Sequence, residues 1–210
     1  MNRASDSRQG YCPTRIIDVG LIRQEILHPL VRKDSYAKGL DYATLSHCWG
    51  DIVPLKLTQS PFSTLKGGVP VSQLPKTFAD AVIIARHLKI RYLWVDPLCI
   101  FEDSDDDWKY ESSQMHEVYS NGVLNIAASG APNSSQGFFS ERNPSTLTPC
   151  KVTVKLPDKP SLDYFMQSEE SVKWQLEEMS VLHRGWVMQE RLLAPRIVYF
   201  GKQEIFWQCS

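Results

Sequence analysis

The residues best suited to chemistry follow short apolar segments that the pattern predicts to be neighbouring strands. Trp49-Gly50 follows one such segment, Asp96 ends the next, and Glu102-Asp103 comes soon after it. The carboxyl ends of parallel strands share one edge of a sheet, and ligands bind at that edge. A glycine turn, an indole ring and carboxylates there would suit a nucleotide-like ligand. Alternatively, Asp96 caps the turn that follows it and the tryptophan is a core anchor.

A second group of polar and aromatic residues lies on the last helix that the pattern predicts. Trp186 and Glu190 are four residues apart on one face, whereas Arg184 and Arg191 are seven apart and can share another. Gln189 adds an amide to the same helix. Such a set could stack on a ring and hold phosphate oxygens. Alternatively, Arg184 and Glu190 form a buried ion pair that braces the helix.

Two other patterns resemble catalytic or metal sites, but their spacing argues against both. Ser46-His47-Cys48 places two nucleophiles beside a base. Adjacent residues of a strand point to opposite faces, so His47 would activate neither neighbour. Asp105-Asp106-Asp107 is three consecutive carboxylates, which suits a solvated helix start better than a metal site. The five cysteines form no C-x-x-C pair, so we predict reduced, mostly buried thiols and no metal site.

The elements that must position these residues alternate between strands and helices. Strands are predicted over residues 15–21, 42–47, 91–95, 123–128 and 150–156. Helices are predicted from about residue 75 to 89, from 104 to about 119, over 169–179 and over 184–193. Alternation in the middle of the chain predicts a parallel sheet with helices on its faces. Strands at 196–200 and 204–207, separated by three residues, predict a hairpin at the sheet edge. The predicted fold is therefore α/β with a mostly parallel sheet, plus a C-terminal helix and β-hairpin.

The first two of these helices carry start signals in the sequence. Thr77 with Asp80 three residues later resembles a capping box. Ser104 is placed to cap the next helix, whose first turn is acidic as the helix dipole favours. Trp108 and Met115 are predicted to mark the core side of that second helix.

The composition is that of an ordinary globular protein. Hydrophobic residues make up 42% of the chain and charged residues 22%, and the length allows one substantial core. With 23 basic and 24 acidic residues the net charge is −1, so we predict neither a nucleic-acid nor a membrane partner. No run approaches the roughly 18 apolar residues of a membrane helix. The first ten residues lack the apolar core of a signal peptide, so a cytoplasmic location is predicted.

Three separated segments give the chain a resemblance to a known family. SHCWG at 46–50, LWVDPLCI at 93–100 and RGWVMQERLL at 184–193 resemble, in that order, the fungal heterokaryon incompatibility (HET) domain. Glu102-Asp103 departs from the Gln-Asp that this family usually has there. The resemblance implies a HET domain over residues 41–210, with residues 1–40 as a partly flexible extension. It also implies a role in fungal non-self recognition, with growth arrest or cell death after unlike cells fuse.

The resemblance leaves two mechanisms open. The HET domain is considered similar to the TIR-type fold, some members of which cleave NAD with a glutamate. On that basis Glu190 or Glu102 would stabilise a cationic ribosyl transition state or orient the attacking hydroxyl, and NAD would be the substrate. Asp96 is the third candidate for a catalytic carboxylate. Trp49 or Trp186 would stack on a ring, and the arginines of the last helix would hold phosphates. The alternative is a non-enzymatic signalling module that acts by homotypic assembly, with protein partners or self-association.

Overall fold

The computed structural model describes residues 11–31, 40–50, 55–58, 67–142, 150–155, 160–166 and 187–209. The strands are β1 (Arg15–Asp18), β2 (Ile26–Val31), β3 (Tyr42–Ser46), β4 (Val69–Pro70), β5 (Tyr92–Trp94), β6 (Leu124–Ala127), β7 (Cys150–Val154), β8 (Leu162–Met166), β9 (Arg196–Phe200) and β10 (Ile205–Cys209). The helices are α1 (Lys76–His87), α2 (Asp96–Cys99), α3 (Asp105–Asn121) and α4 (Val187–Leu193), with a 3-10 turn at Val71–Gln73. None of these helices is both long and apolar enough to cross a lipid bilayer.

Eight strands form one mixed sheet in the order β10-β9-β6-β3-β5-β1-β2-β4. The four strands β9, β6, β3 and β5 are parallel to one another. Antiparallel pairs extend this parallel centre at both edges, through β1, β2 and β4 on one side and β10 on the other. The predicted α/β class is confirmed, but the sheet is mixed and not mostly parallel. Of the seven strand pairs described in it, three are parallel and lie in the middle, and four are antiparallel.

Strand β3 lies at the centre, and every one of its residues is buried, as expected for a parallel strand covered on both faces. The Tyr42 hydroxyl donates to the Val118 carbonyl of α3 at 2.7 Å. His47, just beyond the strand, meets the Phe78 ring of α1 edge-on, with centroids 4.9 Å apart. Side chains of an extended chain alternate between the two faces of a sheet, and Tyr42 and His47 are an odd number of residues apart. The helices that they contact, α3 and α1, therefore lie on opposite faces.

The start of α1 differs from the prediction, whereas the start of α3 agrees with it. Thr77 and Asp80 make no cap for α1; Thr77 accepts the Gly137 N–H at 3.2 Å and Asp80 accepts the Phe138 N–H at 2.9 Å. The capping-box prediction is wrong because both side chains are buried against the loop that follows β6. The predicted cap at Ser104 is confirmed, since its hydroxyl accepts a backbone N–H of the first turn of α3.

The N-terminal segment contributes two strands to the large sheet. The prediction of a strand over 15–21 is confirmed for Arg15–Asp18, and β1 pairs with both β2 and β5. The boundary placed at residue 41 stays a prediction, but the sheet already includes residues before it.

The C-terminal hairpin is confirmed, with β9 and β10 antiparallel and β10 at the sheet edge. The strand predicted near 150–156 is β7, which pairs with β8 in a separate two-stranded sheet. The helix predicted over 184–193 is described from Val187 onward as α4, and the helix predicted over 169–179 lies outside the described residues. The thiols of Cys12, Cys48 and Cys99 are buried and that of Cys209 is exposed.

Candidate functional site

A pocket opens beyond the carboxyl ends of β3 and β5, and we call it the strand-end pocket. Its volume is about 230 Å³, and it is lined by Trp49, Asp96, Ile100, Glu102, Trp108, Ser112 and Met115. These side chains come from the turn after β3, from α2 and the segment that follows it, and from the first turns of α3. The pocket therefore lies at the sheet edge where the sequence analysis placed a ligand.

The carboxylate of Asp96 is held from two sides. The Trp49 indole N–H donates to Asp96 Oδ2 at 3.2 Å, and His47 Nδ1 lies 3.6 Å from Asp96 Oδ1. His47 is fully buried, and its ring is stacked parallel to that of Trp49 with centroids 6.3 Å apart. Asp96 is thus oriented in the pocket wall by neighbours from the segment after β3. The acidic neighbour of His47 is Asp96 on the adjacent strand end.

The carboxylate of Glu102 faces a cation from a segment that the sequence indicates only as a connection. Lys56 Nζ lies 3.6 Å from Glu102 Oε2 and 5.0 Å from the centroid of the Trp49 ring. The segment is fixed by its backbone, since the Leu57 N–H donates to the Pro97 carbonyl at 2.6 Å and the Leu57 carbonyl accepts the Glu102 N–H at 3.0 Å. One cation therefore lies between an indole ring and a carboxylate of the same pocket.

Gly50 makes the turn that positions Trp49. Its φ is +63°, and a Cβ at this position would lie 2.4 Å from the Cβ of Asn133. Both the left-handed backbone and the close approach favour glycine. The predicted glycine turn is present, and it packs against the loop that follows β6.

A buried arginine organises the wall between α2 and α3. The Arg15 guanidinium donates to the Cys99 carbonyl and to the carboxylates of Asp107 and Glu111, and it lies 4.5 Å from the centroid of the Phe101 ring. Asp107 also accepts the Phe101 N–H at 2.9 Å. The Arg15 side chain of β1 thus holds together the end of α2, the segment after it and the first turns of α3.

Burial changes the titration of two groups in this wall. It raises the pKa of the Cys99 thiol to about 12, so this thiol stays protonated at neutral pH. Burial also raises the pKa of Glu111 above its ordinary value, although Thr14 and Arg15 act to lower it. Neither group lines the pocket, and we assign neither a chemical step.

Among the described residues, Gln189, Glu190 and Arg191 of the last helix do not line the strand-end pocket. Glu190 is 2% exposed on α4, a helix that packs against α3. Gln189 and Arg191 are exposed. A hydrogen bond joins Arg191 to Tyr199 of β9, and burial, opposed by Arg191, raises the pKa of that tyrosine. In the described part of the chain, α4 contacts α3, the helix that carries Trp108, Ser112 and Met115 of the pocket.

The remaining predicted residues lie before α3, along α3, or outside the described residues. Asp103 is exposed and is not among the lining residues, and Arg184 and Trp186 lie outside the described residues. Met115 is buried as predicted, but placing Trp108 on the core side is wrong, because its side chain is 47% exposed at the pocket. Trp108, Ser112 and Met115 recur at helical spacing, and this stripe could have indicated a pocket wall.

Comparison with known proteins places most of these features within one family. A family model described as Heterokaryon incompatibility protein (HET) matches residues 42–190. The matched region includes every residue that lines the strand-end pocket, but not β1 with its Arg15. No curated protein and no solved structure matches the chain.

Proposed function

The chain belongs to the heterokaryon incompatibility (HET) family, and we propose that its strand-end pocket binds a nucleotide with a cationic ring, such as NAD, and cleaves it. The family indicates a role in fungal heterokaryon incompatibility, and loss of NAD would be the effector step that stops growth or kills the cell. One observation carries the proposal: two indole rings and two carboxylates line one cavity of about 230 Å³.

The chemistry of the lining favours a positively charged ring. The nicotinamide of NAD is a cation, and an indole face attracts a cation by about 0.5–2 kcal/mol. Trp108 supplies such a ring and Asp96 supplies negative charge. Lys56 lies over the Trp49 ring and pairs with Glu102, so a cationic ring would have to displace it to use those two groups. The cavity is smaller than the roughly 300–1,000 Å³ of pockets for drug-sized ligands. It would enclose the nicotinamide and its ribose and leave the rest of the dinucleotide outside.

The proposed reaction is hydrolysis of the bond between ribose C1′ and the nicotinamide nitrogen. The bonding electron pair leaves with the ring, which becomes neutral nicotinamide, and C1′ develops positive charge. Asp96, oriented by the Trp49 N–H, stabilises that charge. Glu102 accepts a proton from the attacking water, and the other product is ADP-ribose. In inverting glycoside hydrolases a carboxylate likewise acts as the general base that activates the attacking water.

The order of the parallel strands supports a similarity to the TIR-type fold. Taken in chain order, β3, β5, β6 and β9 lie in the spatial order second, first, third, fourth. Doubly wound folds of the flavodoxin type share this order. They bind ligands at the switch point, where successive strands begin to be added on the other side of the first strand. The proposed chemistry does not depend on this similarity.

The test measures nicotinamide released from NAD by the purified chain and by four variants. Glu102→Gln and Asp96→Asn are expected to lower the rate by about 10²–10⁴-fold, the usual contribution of a general base. Glu141→Gln, an exposed carboxylate outside the pocket, is the matched control and should keep the wild-type rate. Glu190→Gln is expected to keep it too. Circular dichroism checks that each variant is folded.

Two outcomes would contradict the proposal in different ways. Loss of cleavage in Glu190→Gln alone would move the catalytic carboxylate to α4 and remove the role of the strand-end pocket. A folded wild-type chain that kills cells without consuming NAD would reject NAD as the substrate.

A further inference from the structure

A second cavity lies at the opposite end of β5, between the turn after β1 and the end of α1. Its volume is about 400 Å³, and its lining includes Leu21, Ile22 and Ile90 together with Arg86, Lys89 and Arg91. We call it the basic cleft. The strand-end pocket follows the carboxyl end of β5, whereas the basic cleft precedes its amino end.

The basic cleft combines an open apolar surface with fixed cations. Leu21 is 73% exposed and Ile22 is 59% exposed. Arg86 donates to the carbonyls of Val19 and Gln24, at 2.8 and 2.6 Å, which fixes its guanidinium.

The other two cations lie near the surface. Arg91 pairs with Asp18 at 2.7 Å, and Lys89 is exposed. Within the described residues, the carboxylate that pairs with any of these three cations is Asp18, so the cleft carries an excess of positive charge. A concave apolar surface with this charge fits an aromatic side chain that is flanked by carboxylates.

The first turns of α3 present such a side chain. Tyr110 is 57% exposed, and it follows the exposed Asp106 by four residues, so the two share one face of the helix. Asp105 is exposed beside them, and Lys109 is the basic residue of these turns. We call Asp105, Asp106 and Tyr110 the acidic face.

We propose that the basic cleft of one copy of this chain receives the acidic face of a second copy. Tyr110 would enter the cleft against Leu21 and Ile22, and Asp106 would meet Lys89 at its rim. Pairing the basic cleft with itself would place like charges together, whereas this contact joins opposite charges.

The two surfaces lie at opposite ends of β5, so one copy can use both at once. A contact between two different surfaces that does not close on itself builds an open-ended assembly. The chain therefore associates head-to-tail, and the inference stands whether or not the pocket cleaves a nucleotide.

The experiment measures molar mass by light scattering over a concentration series, without nucleotide. The wild-type mass is expected to rise with concentration and to fall when salt screens the charges. Lys89→Glu and Asp106→Lys each place like charges in the contact, so each variant alone should associate at least about a hundredfold more weakly. The exposed reversals Lys202→Glu and Glu141→Lys, outside both surfaces, are the matched controls and should associate like the wild type.

Mixing the two variants gives the decisive result. The unchanged acidic face of Lys89→Glu fits the unchanged cleft of Asp106→Lys, and the two reversed surfaces also carry opposite charge. An equimolar mixture should therefore regain the high mass that neither variant reaches alone. A wild-type chain that is monomeric at every concentration overturns the proposal. Assembly that survives both reversals, or a mixture that stays monomeric, overturns it as well.

Discussion

The two ends of β5 differ in how their charged side chains are held. In the strand-end pocket the charges contact other side chains, Trp49 with Asp96 and Lys56 with Glu102. In the basic cleft Arg91 also contacts a side chain, that of Asp18, but Arg86 is fixed by backbone carbonyls, and the apolar surface beside it is open to solvent. A ligand that meets a preorganised lining loses less of its affinity to ordering. The first arrangement thus suits a small ligand, and the second suits a larger partner.

The largest expected effect comes from the wall behind the strand-end pocket. Arg15→Ala removes the cation that Asp107 and Glu111 share in a buried position. Breaking such a cluster costs about 3–5 kcal/mol, so we expect a loss near 3 kcal/mol in the free energy of unfolding, measured by urea denaturation. Arg91→Ala at the other end of β5 removes an exposed guanidinium and should change stability far less. Equal losses in the two variants would contradict the difference between the two ends.

A smaller effect concerns the same wall and depends on pH. The pKa of Glu111 is raised above 4.5 in the folded chain, chiefly by burial. The folded state therefore keeps the proton to a higher pH than the unfolded state does. The stability from this group is fully present below the unfolded pKa, and it is lost as pH rises through the folded pKa.

Glu111→Gln removes this titration, which gives the measurement. We expect acidification from pH 7 to about pH 4.5 to shift the stability difference in favour of the wild type. Urea midpoints of both proteins across this range test it. The pKa of Asp18 at the cleft end is shifted in the opposite direction. Burial acts to raise it, but the opposing contacts, chiefly with Arg91, lower the pKa of that carboxyl. A pH-independent difference between the wild type and Glu111→Gln would show that Glu111 does not titrate in this way.

The smallest effect is expected at the basic cleft. Lys89 has a φ of +60° just after α1, where the Lys89 N–H donates to the Arg86 carbonyl and the Ile90 N–H donates to the Ala85 carbonyl. Glycine favours this helix-ending conformation, so Lys89→Gly should stabilise the fold by about 0.5–1 kcal/mol. It should also weaken self-association by removing a charge. Lys89→Ala loses the same charge and keeps the strained φ, so a stability gain in that variant would rule out backbone relief as the cause.

Much of the pocket could be predicted from the sequence because each of its main residues ends a recognisable element. Trp49 follows β3 and Asp96 follows β5, and these strands are parallel neighbours. A position at the end of each strand was therefore enough to place the two side chains together. Glu102 follows α2 closely and reaches the same cavity.

What the sequence did not indicate depends on contacts between distant segments. Lys56 reaches the pocket because the Leu57 backbone bonds to Pro97 and Glu102, and no side-chain periodicity signals such bonds. His47 meets Asp96 only because two parallel strands end side by side. Arg15 belongs to an ordinary strand pattern, and its role follows from the antiparallel pairing of β1 with β5.

The strand order has a practical consequence for the boundaries of a truncated protein. Residues 42–190 match the family, yet β1, β2, β9 and β10 all lie outside that span. A chain trimmed to it would leave β5 and β6 as bare edges of a three-stranded remnant, β6-β3-β5. Unpaired N–H and C=O groups along such edges recruit strands from other molecules. We therefore expect a protein trimmed to this span to aggregate, so assays of the pocket need the strands on both sides of it.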